Sequence, residues 1–141
     1  MKRVAKNVER AAEQAGWEPL LSLLRKFRDD RDWKQFHNPK DLAAAIAIEA
    51  GELQEHFLWK SKDEVACDLA DAAKRQAVED EFADILICTL LLADCLDIKI
   101  DEAVRKKTAA NARKYPVSRA KGTSRKYTEL RRSRSQGDGP A

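Results

Sequence analysis

Two pairs of acids stand where an amphipathic helix should be apolar, and they limit what this chain can become. Glu49 and Glu52 lie in Ile46-Ala47-Ile48-Glu49-Ala50-Gly51-Glu52-Leu53, and Glu81 and Asp84 in Glu81-Phe82-Ala83-Asp84-Ile85. Residues three apart share one helix face. Glu49 is three past Ile46 and four before Leu53, while Glu81 is three past Val78 and four before Ile85. Each pair therefore interrupts an apolar stripe. A carboxylate turned toward a core is costly unless something neutralises it, and four facing one space would raise one another's pKa values. A hard divalent cation resolves both problems, because Mg²⁺ prefers oxygen ligands and keeps part of its water. The opposing reading, ordinary solvent-facing helix acids, accounts for one pair more easily than for two. A di-iron carboxylate bundle would need Glu-x-x-His on two helices. Here the third residue after Glu49 is Glu52 and after Glu81 is Asp84, with His56 offset by four. All-oxygen ligands favour Mg²⁺, or Mn²⁺ as a substitute, over iron.

The rest of the chain fits long helices. Its 141 residues suit one domain, and five Gly and four Pro leave few turns for a many-stranded sheet. After Pro19, Leu20, Leu23, Leu24 and Phe27 follow helical spacing to about Asp30. An aromatic loop from Asp32 to Pro39 follows, in which Asn38 reads as an N-cap and Pro39 as the first helical residue. The second helix is predicted from Pro39 to about Trp59, with Gly51 inside it suiting close approach by another element or a substrate. Residues 60–74 form a polar connection with room for a short helix. A third helix runs from about Gln76 to Leu96, and a fourth, capped by Asp101, ends near Tyr115-Pro116. The expected organisation is an all-α, four-helix domain over residues 19–116, a polar extension over 1–18, and a basic, extended tail over 117–141.

Charge and cysteines narrow the class further. The net charge is only +3, yet residues 113–134 hold nine Lys and Arg against the single acid Glu129. A solvated tail is the default reading; a bundle that binds nucleic acid through this segment is an alternative, but no DNA- or RNA-reading motif accompanies it. Three cysteines, Cys67, Cys88 and Cys95, form no CxxC pair, and no secretory leader precedes them. A reducing cytoplasm is expected, with Cys88 and Cys95 as buried small hydrophobes. The run Leu86–Leu96 is too short to cross a membrane and is broken by Asp94.

Taken in order, several stretches resemble the MazG-like all-α nucleotide pyrophosphohydrolases, and more closely their dCTP pyrophosphatase branch. They are Arg31-Asp32-Trp33-Lys34-Gln35-Phe36-His37, Glu49-Ala50-Gly51-Glu52-Leu53, Phe57-Leu58-Trp59-Lys60, Glu81-x-x-Asp84, Asn111-Ala112-Arg113-Lys114-Tyr115-Pro116 and Ser124-Arg125-Lys126-Tyr127-Thr128-Glu129-Leu130. The resemblance covers about residues 19–130. It implies a helical-bundle dimer or dimer of dimers that cuts a deoxynucleoside triphosphate, dCTP or a modified dCTP, to monophosphate and pyrophosphate. It implies Mg²⁺ held by Glu49, Glu52, Glu81 and Asp84, with Glu52, aided by Glu49, handling the attacking water. By the same likeness Lys107, Asn111, Arg113, Lys114 and Tyr115 meet the triphosphate or sugar, and Trp33, His37 and Trp59 form the base pocket, with Phe36 a packing residue. Arg113 and Lys114 also suit a helix C-terminus without any ligand. The branch's dCTP enzymes carry a His where this chain has Leu24 and a Tyr where it has Cys88, changes that relax selectivity. They also keep open an alternative, a helical protein that binds or senses nucleotides with little catalysis.

Overall fold

The computed structural model describes residues 16–130. All regular structure among them is helical. The chain divides after Ile98 into two compact units, Met1–Ile98 and Lys99–Ala141.

The first described helix of this unit is α1, Glu18–Asp29, which has Pro19 in its first turn. The buried residues of this helix are Leu21 and Arg28, outside the expected stripe, of which Leu20, Leu23 and Phe27 stay exposed and Leu24 is half-buried. Its inner face is completed by a charged residue. Arg28 donates to Asp94 through Nη1 at 3.1 Å and to Asp29 through Nε at 2.7 Å. Arg25 donates from Nε to Asp94 at 2.8 Å, and its Nη1 meets Glu18 at 2.6 Å. Side-chain exposure is 8% for Arg28 and 18% for Asp94, so this ionic knot lies mostly out of water.

Asp32 takes a left-handed φ of 55° and starts a 3-10 turn, Trp33–Gln35. Asn38 then caps α2, Pro39–Glu55, accepting from the Asp41 N–H at 3.1 Å, with Pro39 in the first turn as the sequence requires. The helix stops at Glu55, one turn short of the expected Trp59. Phe57 and Leu58 both donate to the Gln54 carbonyl, and Trp59 leaves the helix at a φ of 62°. Ser61 and Glu64 form a capping box that begins α3, Lys62–Ala70. Asp71 both ends α3 and caps α4, accepting from the N–H groups of Ala73 and Lys74. This strong cap moves the start of α4, Ala72–Cys95, four residues ahead of the expected Gln76.

Helices α2 and α4 form the frame. Leu42 and Ala45 share a cavity with Ile87, Cys88 and Leu91, while Glu49 and Glu52 meet Glu81. Later residues of one helix face earlier residues of the other, so the two run antiparallel. The core is Leu21, Leu42, Leu90, Leu91 and Ala93. Each buried leucine stabilises the unit by about 1.5–3 kcal/mol. Cys88 is half-buried, and Cys95, expected inside, is exposed. It lies in the last turn, where its thiol reaches the His37 carbonyl at 3.7 Å.

The second unit holds α5, Ile100–Lys114, and the single turn α6, Val117–Ala120. Asp101 sits in the first turn of α5 rather than at the cap, which is Lys99. The segment after Val117 is not simply extended: α6 is helical, and Tyr127 packs edge-on against Tyr115 with ring centres 6.2 Å apart. The expected extension over 1–18 and the end of the tail fall largely outside the described residues.

Candidate metal centre and adjoining pocket

Rigid helices place the acids. Glu49 and Glu52 are on one face of α2, and Glu81 on the facing side of α4. Each of the three offers an oxygen within 4.8 Å of the other two. Burial first, and then the charges of Glu52, Asp84 and Glu81, push the Glu49 carboxyl above its ordinary value. Among the described residues no lysine, arginine or histidine pairs with Glu49, Glu52, Glu81 or Asp84. An all-oxygen set that repels itself and has no cation of its own fits a hard divalent ion.

Asp84, the fourth expected acid, lies beside this triad. Its oxygens are not part of the close triad; the residue lies instead on the wall of an adjoining cavity of about 470 Å³. Its charge still reaches Glu49 and the Cys88 thiol, which burial chiefly pushes up. Asp84 is three residues from Glu81 on α4, so one acid of that helix belongs to the triad and the next to the cavity wall.

The cavity is walled by Leu24 and Phe27 of α1, Trp33, Phe36 and His37 of the loop, Asp41, Leu42 and Ala45 of α2, and Asp84, Ile87, Cys88 and Leu91 of α4. Its size and apolar lining with few polar groups are those of a small-molecule site. Trp33 stands edge-on to Phe27 with ring centres 5.8 Å apart, and the Arg31 guanidinium lies 3.7 Å above the Phe27 ring. Nδ1 of His37 is buried and has no hydrogen-bond partner among the described residues, so it is a polar handle inside an aromatic wall.

Trp33, Phe36 and His37 thus line one cavity together. Trp59 is not in this pocket. It is 93% exposed and directed outward by its left-handed backbone. Gly51 also behaves differently from expectation. A Cβ there would meet nothing within 4 Å, so the close approach is not made by any described element of this chain.

Lys107, Asn111, Arg113 and Lys114 belong to α5, and Tyr115 is its C-cap. Lys107 and Asn111 are exposed one turn apart. Arg113 and Lys114 occupy the basic last turn, and the Lys114 ammonium lies 5.4 Å from the Tyr127 ring centre. Two site features escaped the sequence reading. Asp41 lies on the pocket wall because the Asn38 cap turns it there, and Asp94 anchors α1. The available signal for Asp94 was a lone acid in an apolar run, matched by Arg28 four residues after Leu24.

Comparison with known proteins shows the family. The MazG-like family model matches residues 44–130, which include all four acids. The dCTP pyrophosphatase 1 of Homo sapiens is 39% identical over 131 residues, spanning 88% of this chain and 77% of that protein. The dCTP pyrophosphatase 1 of Bos taurus is 38% identical over the same length, with 88% and 78% covered. Among solved structures, a pyrophosphatase from Archaeoglobus fulgidus DSM 4304 superposes with a TM-score of 0.66 at 47% identity. That match covers 70% of this chain and 91% of the other.

Proposed function

The chain belongs to the MazG-like family, and from that premise we propose that it is a nucleotide pyrophosphohydrolase acting on dCTP or a modified dCTP. Water attacks the α-phosphorus, the bond to the bridging oxygen breaks, and pyrophosphate leaves with the monophosphate as the second product. One observation carries the reading: three carboxylates with no cationic partner among the described residues gather within 4.8 Å, and the next acid along α4, Asp84, joins them to an aromatic cavity.

Glu49, Glu52 and Glu81, with Asp84 from the pocket side, would hold Mg²⁺, for which Mn²⁺ could substitute. When bound, the ion supplies positive charge against the phosphates and makes water more acidic. Glu52 is the most exposed of the triad and takes the proton of the attacking water. Glu49 is its partner in that task. Trp33 and Phe27 flank the base, and the free Nδ1 of His37 meets its polar edge. Lys107, Asn111, Arg113, Lys114 and Tyr115 are assigned to the triphosphate or sugar.

The same reading includes a second copy of the chain. Ile48 and Phe82, each next to a triad acid, are both 59% exposed, and Trp59 is exposed almost fully. Apolar surface of this kind marks an interface. A homodimer, alone or paired again, would cover it and bring Trp59 to a neighbour's pocket. Three free thiols suit work on the cytoplasmic nucleotide pool.

The test is a panel of common dNTPs and NTPs plus 5-methyl-dCTP, with Mg²⁺, Mn²⁺ or chelator, and products separated by chromatography. The expected result is dCMP and pyrophosphate from dCTP only when metal is present. No cleavage of any nucleotide with either metal would overturn the activity. It would favour the binding or sensing alternative, to which Leu24, an apolar side chain, and Cys88, a weak hydrogen bonder, contribute by lining the pocket.

A further inference from the structure

The wall of the pocket is anchored by charge. On α1 the wall residues Leu24 and Phe27 alternate with Arg25 and Arg28, and both arginines bind Asp94. On α4 the lining residues Asp84, Ile87 and Leu91 recur at three and four, and Asp94 is the next position on that stripe. The ionic knot therefore lies beside the pocket wall on α1 and one turn beyond the last lining residue on α4. Each carboxylate oxygen of Asp94 has its own arginine: Oδ1 takes Arg25, and Oδ2 takes Arg28. Glu18 and Asp29 occupy the remaining guanidinium donors that the knot directs outward.

Apolar packing alone holds α1 loosely. Leu21 is its one buried apolar side chain, while Leu20, Leu23 and Phe27 are exposed. Greasy contacts tolerate sliding, whereas charge-assisted hydrogen bonds fix distance and direction. The separation of α1 from α4, and so the width of the pocket between them, is set at Asp94. Phe27 carries that setting to Trp33 through their edge-on contact.

We propose that Asp94 is a positioning residue for substrate affinity: by gripping Arg25 and Arg28 it holds Leu24, Phe27 and Trp33 at the spacing that clasps the base, without touching the substrate. This rests on the nucleotide reading of the pocket given above. A group held out of place can cost on the order of 100-fold. A wall that loosens without leaving should cost less, about tenfold, and in KM rather than kcat, because the acid triad is fixed by α2 and α4 alone.

The experiment is steady-state hydrolysis of dCTP with Mg²⁺ by the wild type and by Asp94→Asn, Asp94→Glu and Arg25→Met. Asp94→Asn should raise KM about tenfold with kcat within about twofold. Asp94→Glu, which keeps the charge, should restore most of the affinity. Arg25 is one-third exposed, so Arg25→Met strands no buried cation and should raise KM about threefold. An unchanged KM in a folded Asp94→Asn protein with a lowered melting point would reduce the knot to plain stabilisation and overturn the proposal. A loss confined to kcat would overturn it as well. If Asp94→Asn does not fold, an unchanged KM in Arg25→Met overturns it alone. If the wild type cleaves nothing, the proposed activity fails separately, and the Kd for dCTP by calorimetry with Ca²⁺ replaces KM with the same expected ratios. Wild-type protein that neither cleaves nor binds dCTP overturns both.

Discussion

Helix α4 carries an acid near each end of its inner stripe, and the protein treats them in opposite ways. Asp94 is met by two arginines from α1, and their hydrogen bonds hold its carboxyl below the ordinary range. Glu81, more than three turns earlier, faces Glu49 and Glu52, and among the described residues no cation pairs with any of them. The first arrangement is complete as folded. The second is a set of charges whose partner must come from outside. An inward-facing acid is thus not diagnostic by itself; what separates scaffold from site is whether the fold neutralises it.

The contrast is broken most directly by removing charge at each end. Glu49→Gln, Glu52→Gln and Glu81→Gln should each lower kcat by about 100-fold or more in the Mg²⁺-supported reaction. In chelator, the same variants should melt at or above the wild-type temperature, since repulsion is relieved. Asp94→Asn should do the reverse to stability, lowering the free energy of unfolding by about 3 kcal/mol in denaturant titrations because Arg28 loses its buried partner. Equal losses of stability at both ends would erase the distinction.

Acidity sharpens it. Glu49 titrates above its ordinary value in the folded chain, so folding favours its protonated form. Its contribution is full below the unfolded carboxylate range and is lost as pH rises through the raised folded value. Asp68 is the opposite case: hydrogen bonds from Lys60 and Lys74 lower it to about 2. Its contribution is present above its unfolded value and is lost as pH falls toward about 2. Melting curves between about pH 2 and 7 should therefore lose an upper-limb slope in Glu49→Gln and a lower-limb slope in Asp68→Asn. Added Mg²⁺ should abolish only the first.

Two smaller effects probe the frame that presents the acids. Gly51→Ala should stabilise metal-free protein by about 1 kcal/mol, because a Cβ there meets nothing and alanine is the better helix former. A fall in activity despite that gain would show that substrate or a second copy approaches Gly51 closely. Asn38→Ala should cost about 1 kcal/mol in thermal unfolding by uncapping α2.

Much of this was legible in the sequence, for local reasons. The all-helical fold followed from periodicity, and the Asn38-Pro39 start of α2 from capping chemistry. Glu49, Glu52 and Glu81 stood out because their spacing conflicts with their stripe. Boundaries were missed where a single residue outranked the pattern: Asp71 drew α4 forward, and Trp59 left α2 early through a left-handed backbone. That Asp84 also lines the adjoining cavity was hidden, since i,i+3 spacing gives a shared face but not what packs beside it. The grip of α1 on Asp94 joins residues 66 and 69 positions apart, a separation that no local pattern spans.

The triad's placement on two antiparallel helices also bears on how such chains tolerate length change. Residues 56–71, which join α2 to α4, supply no oxygen to the triad. Insertions there would lengthen α3 or its turns and leave the three carboxylates in register. A single residue inserted between Ala72 and Glu81 would instead turn the acid by about 100° around α4 and carry it off the shared face. Relatives should therefore differ freely in the length of that connection and hardly at all within the two helices it joins.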